Sequence, residues 1–127
     1  MKKNSTNLVS ANADLDELLS REDLKEMIKK DFLQGNYETS ITKAFAHLEE
    51  TIIYSGQKSL SEEQKINYVS NDKTNEELRA IRFKLKGAMN WFREPNANGT
   101  QSRAKAAAQI LAYVDLQLTV TEKMRSL

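Results

Sequence analysis

The amino-acid sequence predicts an all-α fold, a four-helix bundle within a single domain. Helix breakers are scarce, with 4 glycines and 1 proline among 127 residues, and this scarcity favours long helices over many short strands and turns. Apolar residues also recur at intervals of three and four through most of the chain, which is the period of a helix with one buried face. A chain of this length forms one domain around a single modest core.

The first long helix is predicted to begin near Ser20. This serine is followed three residues later by Asp23, which is close to the capping-box pattern of a helix start. The apolar positions that follow at helical spacing are Leu24, Met27, Ile28 and Phe32. Gly35 predicts the end of the helix, because glycine accepts the left-handed conformation found there.

A second helix is predicted to begin after Asn36 and to end at Gly56. Its apolar stripe is Ile41, Ala44, Phe45, Leu48 and Ile52. Residues 57–73 are polar and are predicted to be an irregular connection. A connection of this length often carries function or mobility.

The third helix is predicted over 75–92, and Pro95 prevents its continuation. Its core stripe is Leu78, Ile81, Leu85, Ala88, Met89 and Phe92. The last helix is predicted over 103–124, with Thr100 or Ser102 as its cap. Its narrow face of small and apolar residues is Ala104, Ala107, Ala108, Leu111, Val114 and Leu118.

Composition excludes several classes of site. The chain has 19 basic and 18 acidic residues, no cysteine and one histidine, His47. A near-neutral balance gives no global attraction to nucleic acid, and this residue set predicts no disulfide, no metal site and no cofactor. No apolar run approaches the ~20 residues of a membrane helix. Residues 1–14 are interpreted as a flexible tail before a domain at 15–127, and a cytoplasmic location is predicted.

A basic stripe lies beside the apolar stripe of the third helix. It consists of Arg79, Arg82, Lys86, Asn90 and Arg93. At about 100° per residue these side chains fall within a sector of roughly 80° that contains no acidic residue. Arginine suits phosphate, because its planar fork binds two oxygens at once, so the stripe indicates an anionic partner. The alternative is a solvated face, or one that pairs with acids such as Glu49 and Glu50 on the second helix.

Three further segments carry recognisable motifs, namely residues 85–98, LKGAMNWFREPNAN, residues 32–40, FLQGNYETS, and residues 44–49, AFAHLE. They resemble a branch of the HEPN superfamily that contains abortive-infection-like bacterial proteins. Residues 85–98, LKGAMNWFREPNAN, are similar to a Gly-Ala helix segment that ends in Phe-Arg-Asn-Pro, two further residues and histidine. Residues 32–40, FLQGNYETS, resemble the Phe-Leu-x-Gly-x-Tyr-x-x-Ala segment of that branch, and residues 44–49, AFAHLE, continue the match. The resemblance covers about residues 24–120 and implies a HEPN-like four-helix bundle.

The resemblance also implies an activity and a partner. HEPN ribonucleases pair as homodimers, and the two copies form a composite cleft that cuts RNA without a metal. In this chain Arg93 would hold the phosphate, Glu94 would assist, and Asn98 stands at the position of the histidine. The implied role is a phage-defence or toxin-type protein with the third and fourth helices and the 93–99 loop near the two-fold axis.

The sequence departs from that pattern at Asn98, which replaces the histidine that transfers a proton in these ribonucleases. Asparagine hydrogen-bonds a phosphate but does not take up and release a proton near neutral pH, as histidine does. Loss of such a group typically lowers the rate ~10²–10⁴-fold. His47 lies in the middle of a predicted helix and is interpreted as structural. The sequence therefore predicts an impaired ribonuclease, in which Asn98 is either a natural or an introduced replacement.

Two further interpretations stay open at this point. One is a non-catalytic regulatory module, phage-encoded or antitoxin-like, that binds nucleic acid or a protein. The other is a structural dimeric adaptor that uses residues 57–73 as its contact surface. Trp91 and Phe92 either stack on a base or pack in the core or in a dimer interface.

Overall fold

The computed structural model describes residues 15–57, 72–94 and 102–126, and every element in these ranges is a helix. A short helix, α1, covers residues 15–18. Four long helices follow, namely α2 (Glu22–Leu33), α3 (Tyr37–Gln57), α4 (Asp72–Arg93) and α5 (Arg103–Ser126). The predicted all-α class is confirmed, and the helices form a bundle. Among them, none combines the length and the apolar character needed to cross a bilayer.

Helix α3 is the centre of the bundle. It packs against α2, α4 and α5, whereas α4 and α5 make few contacts with each other. The predicted stripe of α3 is buried throughout, and Ile41, Ala44 and Leu48 have no exposed surface. On α5, Ala107 and Ala108 are fully buried as well. Their small side chains let the backbones of α3 and α5 approach closely, because no long side chain separates the two helices.

The turn between α2 and α3 follows the prediction. Gly35 has a φ of +83°, which lies in the left-handed region that glycine occupies without steric cost. Helix α3 then begins at Tyr37, directly after Asn36. The buried Ser40 hydroxyl donates a hydrogen bond of 3.2 Å to the Asn36 carbonyl. This turn brings the first residues of α3 close to the end of α4.

The predicted cap of α2 is wrong. The N-cap residue is Arg21, and its side chain makes no capping hydrogen bond. Instead Asp115 of α5 accepts hydrogen bonds from the Ser20 amide, the Ser20 hydroxyl and the Arg21 amide, at 3.1, 2.8 and 2.9 Å. A carboxylate from another helix therefore satisfies the amides before α2, and a local motif search does not find such a long-range contact.

Several predicted boundaries also shift. Helix α3 continues through Gly56 to Gln57, and α4 begins at Asp72 rather than near residue 75. The predicted connection at 57–73 is therefore too long at both ends, and its remaining residues, 58–71, lie outside the described ranges. Met27, predicted to belong to the core, is 39% exposed.

The cap of the last helix is confirmed. The Ser102 hydroxyl accepts a hydrogen bond from the Lys105 amide at 3.1 Å, which is the geometry of an N-cap serine. The predicted tail at 1–14 lies outside the described ranges, and of the predicted 93–99 loop only Arg93 and Glu94 lie within them.

Candidate nucleic-acid interface

The five side chains predicted to form a basic stripe are all exposed on α4. They are Arg79, Arg82, Lys86, Asn90 and Arg93, hereafter the α4 basic face. The core stripe of α4 lies on another side of the helix, where Leu78, Met89 and Phe92 are buried. Because the helix fixes the angle between the two stripes, burial of one turns the other outward. The structure therefore brings the predicted RNA-binding residues to one surface.

Two of the four cations on this face pair with acids of α3. The Arg82 Nε lies 2.9 Å from Glu49 Oε1, which confirms the ion-pair alternative at this position. Glu50 forms no ion pair within the described ranges. Arg79 and Lys86 are exposed, and neither pairs with any residue that the structure describes. These two side chains remain available to an anionic ligand.

Arg93, the last residue of α4, pairs with Glu38 in the first turn of α3. Its Nε and Nη2 atoms lie 2.9 and 2.5 Å from Glu38 Oε1. The side chains are 59% and 46% exposed, so water screens the pair. The hydrogen bond to Glu38 raises the pKa of Arg93 above its usual range, and the guanidinium stays cationic. The phosphate-binding side chain implied by the resemblance is thus on the surface, with a carboxylate already beside it.

A shallow cleft of about 460 Å³ adjoins this ion pair. The residues that line it are Gly35, Asn36, Tyr37, Glu38, Thr39, Phe92 and Arg103. The Arg103 guanidinium lies over the Phe92 ring, with 3.8 Å between Cζ and the ring centroid. Two arginines therefore flank the first turn of α3, where unpaired amides and the helix dipole favour an anion.

Sequence reasoning missed Arg103. The residue begins α5, and a helical wheel of α4 alone does not include it. The signal in the sequence that could have found Arg103 is its position at the start of the next predicted helix after Arg93. In an antiparallel pair of helices, those two ends lie together.

The aromatic residues near Arg93 serve packing. Phe92 is only 3% exposed. Tyr37 meets Phe32 and Phe92 edge to face, with centroid distances of 5.2 and 6.1 Å, and burial raises the pKa of its hydroxyl. Trp91 is half-buried against the core. The packing interpretation is confirmed for Phe92, which has too little free surface to stack on a base.

Of the other two predicted site residues, Glu94 and Asn98, the structure describes only Glu94. The Glu94 amide, just after α4, donates to the Trp91 carbonyl at 3.3 Å, and Asn98 lies outside the described ranges. His47 is half-buried, and its Nε2 atom lies 3.6 Å from Asp23 Oδ2 on α2. The histidine thus faces α2 rather than the end of α4, in agreement with the predicted structural role.

In the described ranges, no three histidine, aspartate or glutamate side chains are placed to bind a metal together. The geometry of this surface instead suits an extended anion, held by exposed guanidinium and ammonium groups. Comparison with protein-family models, curated proteins and solved structures gives no significant match.

Proposed function

We propose that this chain is a HEPN-like protein that binds RNA through the α4 basic face and whose ribonuclease activity is impaired. Its role is of the phage-defence or toxin type. The observation that carries the proposal is the exposure of four cations and one amide on a single face of α4. The HEPN relationship rests on the resemblance of the sequence segments, and the Arg93-centred homodimer stays a prediction of that resemblance.

Charge favours a polyanion over a single small anion. The four cations of the face are opposed by two carboxylates, Glu38 and Glu49, which leaves a local excess of two positive charges. From Arg79 to Arg93 the face extends over 14 residues of helix, or about 20 Å at 1.5 Å per residue. Successive phosphates of an RNA strand match a row of cations of that length.

Arg93 and Arg103 favour binding of a phosphate at one end of the face. Both lie at the first turn of α3, beside the cleft. A phosphate there is favoured by two guanidinium groups and by the amides at the helix start. It must also displace the Glu38 carboxylate from Arg93, so binding at this end is weakened.

The described residues near Arg93 include no histidine that could act as the general base. His47 faces α2, and Asn98 stands where the resembled motif has histidine. A carboxylate beside a guanidinium holds charge but does not supply a proton donor matched to neutral pH. Binding without efficient cleavage is therefore the proposed activity.

RNA binding by alanine variants tests the proposal. We expect a fluorescently labelled single-stranded RNA to bind the wild-type protein, with affinity lowered about fivefold, or roughly 1 kcal/mol, by Arg79→Ala or Lys86→Ala. Lys29→Ala is the matched control, because Lys29 is an exposed lysine on α2. Equal losses in all three variants, or no binding by the wild type, would contradict the proposal.

A further inference from the structure

Phe83 is a large aromatic side chain that the fold leaves in solvent. It is 77% exposed on α4, whereas the other three phenylalanines of the chain, Phe32, Phe45 and Phe92, are at most 3% exposed. Exposure of such a ring forgoes the favourable free energy of its burial. Among the residues that the structure describes, no aromatic ring and no cation lies over the Phe83 ring. Packing among those residues therefore does not account for a phenylalanine at this position.

Phe83 lies beside the α4 basic face. Arg79 precedes it by four residues and Lys86 follows it by three, and residues at these spacings are neighbours on a helix surface. At about 100° per residue, Phe83 and Asn90 point within about 20° of each other. Arg79 and Lys86 are exposed and pair with no residue that the structure describes. The ring therefore lies between two cations that are available to a ligand.

The neighbours on the other side of Phe83 are small. They are Ala80 and Gly87, three residues before the phenylalanine and four after it, and both are exposed. A Cβ atom added at Gly87 would meet no atom within 4 Å, so close packing does not require a glycine there, although glycine destabilises the interior of a helix. These two small residues leave open space beside the Phe83 ring, through which a flat group can approach it.

We propose that Phe83 stacks on an unpaired base of the bound RNA, while Arg79 and Lys86 contact phosphates on either side of that base. The inference rests on the proposed RNA-binding function and names the class of its substrate, which is single-stranded rather than duplex RNA. Every base has a flat apolar face, so stacking on an aromatic side chain requires no particular sequence. In a duplex the neighbouring base pairs cover both faces of a base, and the ring has no access to them.

The composition of this surface favours RNA over a protein ligand. Phe83 is the only large apolar side chain exposed on the described part of α4, so the surface lacks the contiguous apolar patch of a protein interface. A single ring among cations is instead the combination by which proteins bind single strands, since the cations contact phosphates and the ring stacks on a base. Seven residues separate Arg79 from Lys86, or about 10 Å of helix at 1.5 Å per residue, and both long side chains can adjust to the spacing of phosphates.

Binding of one RNA sequence as a single strand and as a duplex tests the proposal. We expect Phe83→Leu to lower the affinity for the single strand about tenfold and to leave the affinity for the duplex unchanged. Leucine keeps the apolar and helix-forming character of the position but has no ring, whereas Phe83→Tyr keeps the ring and should retain most of the affinity. Tyr54→Leu is the matched control, because Tyr54 is an aromatic residue that is 72% exposed on α3.

Salt dependence separates stacking from charge. Stacking releases no counterions, so Phe83→Leu should lower the affinity by the same factor at every salt concentration. Lys86→Ala removes a phosphate contact and should reduce the dependence of affinity on salt. A change in salt dependence with Phe83→Leu equal to that with Lys86→Ala would overturn a stacking role for the ring.

A photo-crosslink reports the contact directly. A single strand that contains 5-iodouridine should crosslink on irradiation to the wild type and to Tyr54→Leu, because both keep the ring on which the base stacks, and should lose this adduct with Phe83→Leu. Equal crosslinking of all three proteins would overturn the proposal.

The outcomes distinguish this inference from the function on which it rests. A wild type that binds RNA, with Phe83→Leu binding equally well, would overturn the stacking inference and leave RNA binding through the α4 basic face standing. An equal loss on single-stranded and duplex RNA, or an equal loss with Tyr54→Leu, would overturn it as well. A wild type that binds no RNA would overturn both proposals.

Discussion

The Arg93 guanidinium and the Glu38 carboxylate join the end of α4 to the start of α3. Two nitrogens of Arg93 share one oxygen of Glu38, and both side chains are about half exposed. Water screens an ion pair this exposed, so an external phosphate displaces this carboxylate at modest cost. Glu38 therefore competes with the proposed ligand without closing the site.

Removal of that competitor should raise the affinity for RNA. We expect Glu38→Gln to bind single-stranded RNA about two- to fivefold more tightly, since an exposed, water-screened pair competes only weakly with the ligand. Fluorescence anisotropy with the wild type measured in parallel gives the ratio of dissociation constants.

The control for that measurement is Glu26→Gln. Glu26 is exposed on α2, and its substitution changes net charge by the same amount. An equal gain in both variants would assign the effect to overall charge rather than to release of Arg93.

Restoration of the motif histidine tests the impaired-nuclease part of the proposal. We expect wild-type protein to leave RNA intact and Asn98→His to cleave it without added metal, with a rate gain of ~10²–10⁴-fold from the restored proton transfer. Cleavage is followed on a denaturing gel. Adding Arg93→Ala to the Asn98→His protein should abolish the activity. If Asn98→His also leaves RNA intact, that result would contradict the proposed ribonuclease ancestry.

Much of the fold could be predicted because its information is local. The i, i+3, i+4 spacing of Ile41, Ala44, Phe45 and Leu48 was sufficient to identify the buried side of α3. The stop at Gly35 and the cap at Ser102 also follow from residues within one helical turn. Signals of that range are readable in a single sequence.

The features that escaped prediction depend on contacts between distant residues. Ser20 resembled a cap by itself, yet its hydroxyl bonds to Asp115, 95 residues away. The basic residues of α4 were identified from one helical wheel, but Arg103 and Glu38 join Arg93 only through tertiary packing. Gly56 resembled a helix end, although α3 continues to Gln57. Helix propensity is a weak guide where tertiary contacts determine the local structure.

The contact between Asp115 and the start of α2 should be important for stability. Asp115→Ala leaves the Ser20 and Arg21 amides without their acceptor, and we expect a loss of about 2–3 kcal/mol in the free energy of unfolding. Urea denaturation measures the change.

Asp115→Asn is the matched variant, because its amide keeps one acceptor oxygen and nearly the same shape. We expect its loss of stability to be clearly smaller than that of Asp115→Ala. Equal losses would show that charge near the start of α2, rather than hydrogen bonding, dominates the contribution of this residue.

The pair between Arg21 and Asp23 predicts a component of stability that depends on pH. The Arg21 hydrogen bond lowers the pKa of Asp23, and His47 and Glu122 are the other titratable groups beside this pair. A carboxyl with a lowered pKa in the folded state stabilises the protein above its unfolded pKa, near 4, and this contribution is lost as pH falls through the folded value.

We therefore expect the difference in unfolding free energy between wild type and Asp23→Asn to be largest near pH 7 and to shrink below pH 4. The difference should stay under ~1 kcal/mol, since the Asp23 side chain is 48% exposed. A difference that is constant with pH would exclude this linkage.

The salt dependence of RNA binding tests the central claim most directly. If the α4 basic face contacts phosphates, the logarithm of the association constant should fall linearly with the logarithm of salt concentration, by about 0.7 per phosphate neutralised on a single strand. We expect the double variant Arg79→Ala, Lys86→Ala to reduce that slope by roughly 1.4, whereas Lys29→Ala leaves it unchanged. A slope near zero for the wild type, or an identical slope in the double variant, would contradict RNA binding through this face.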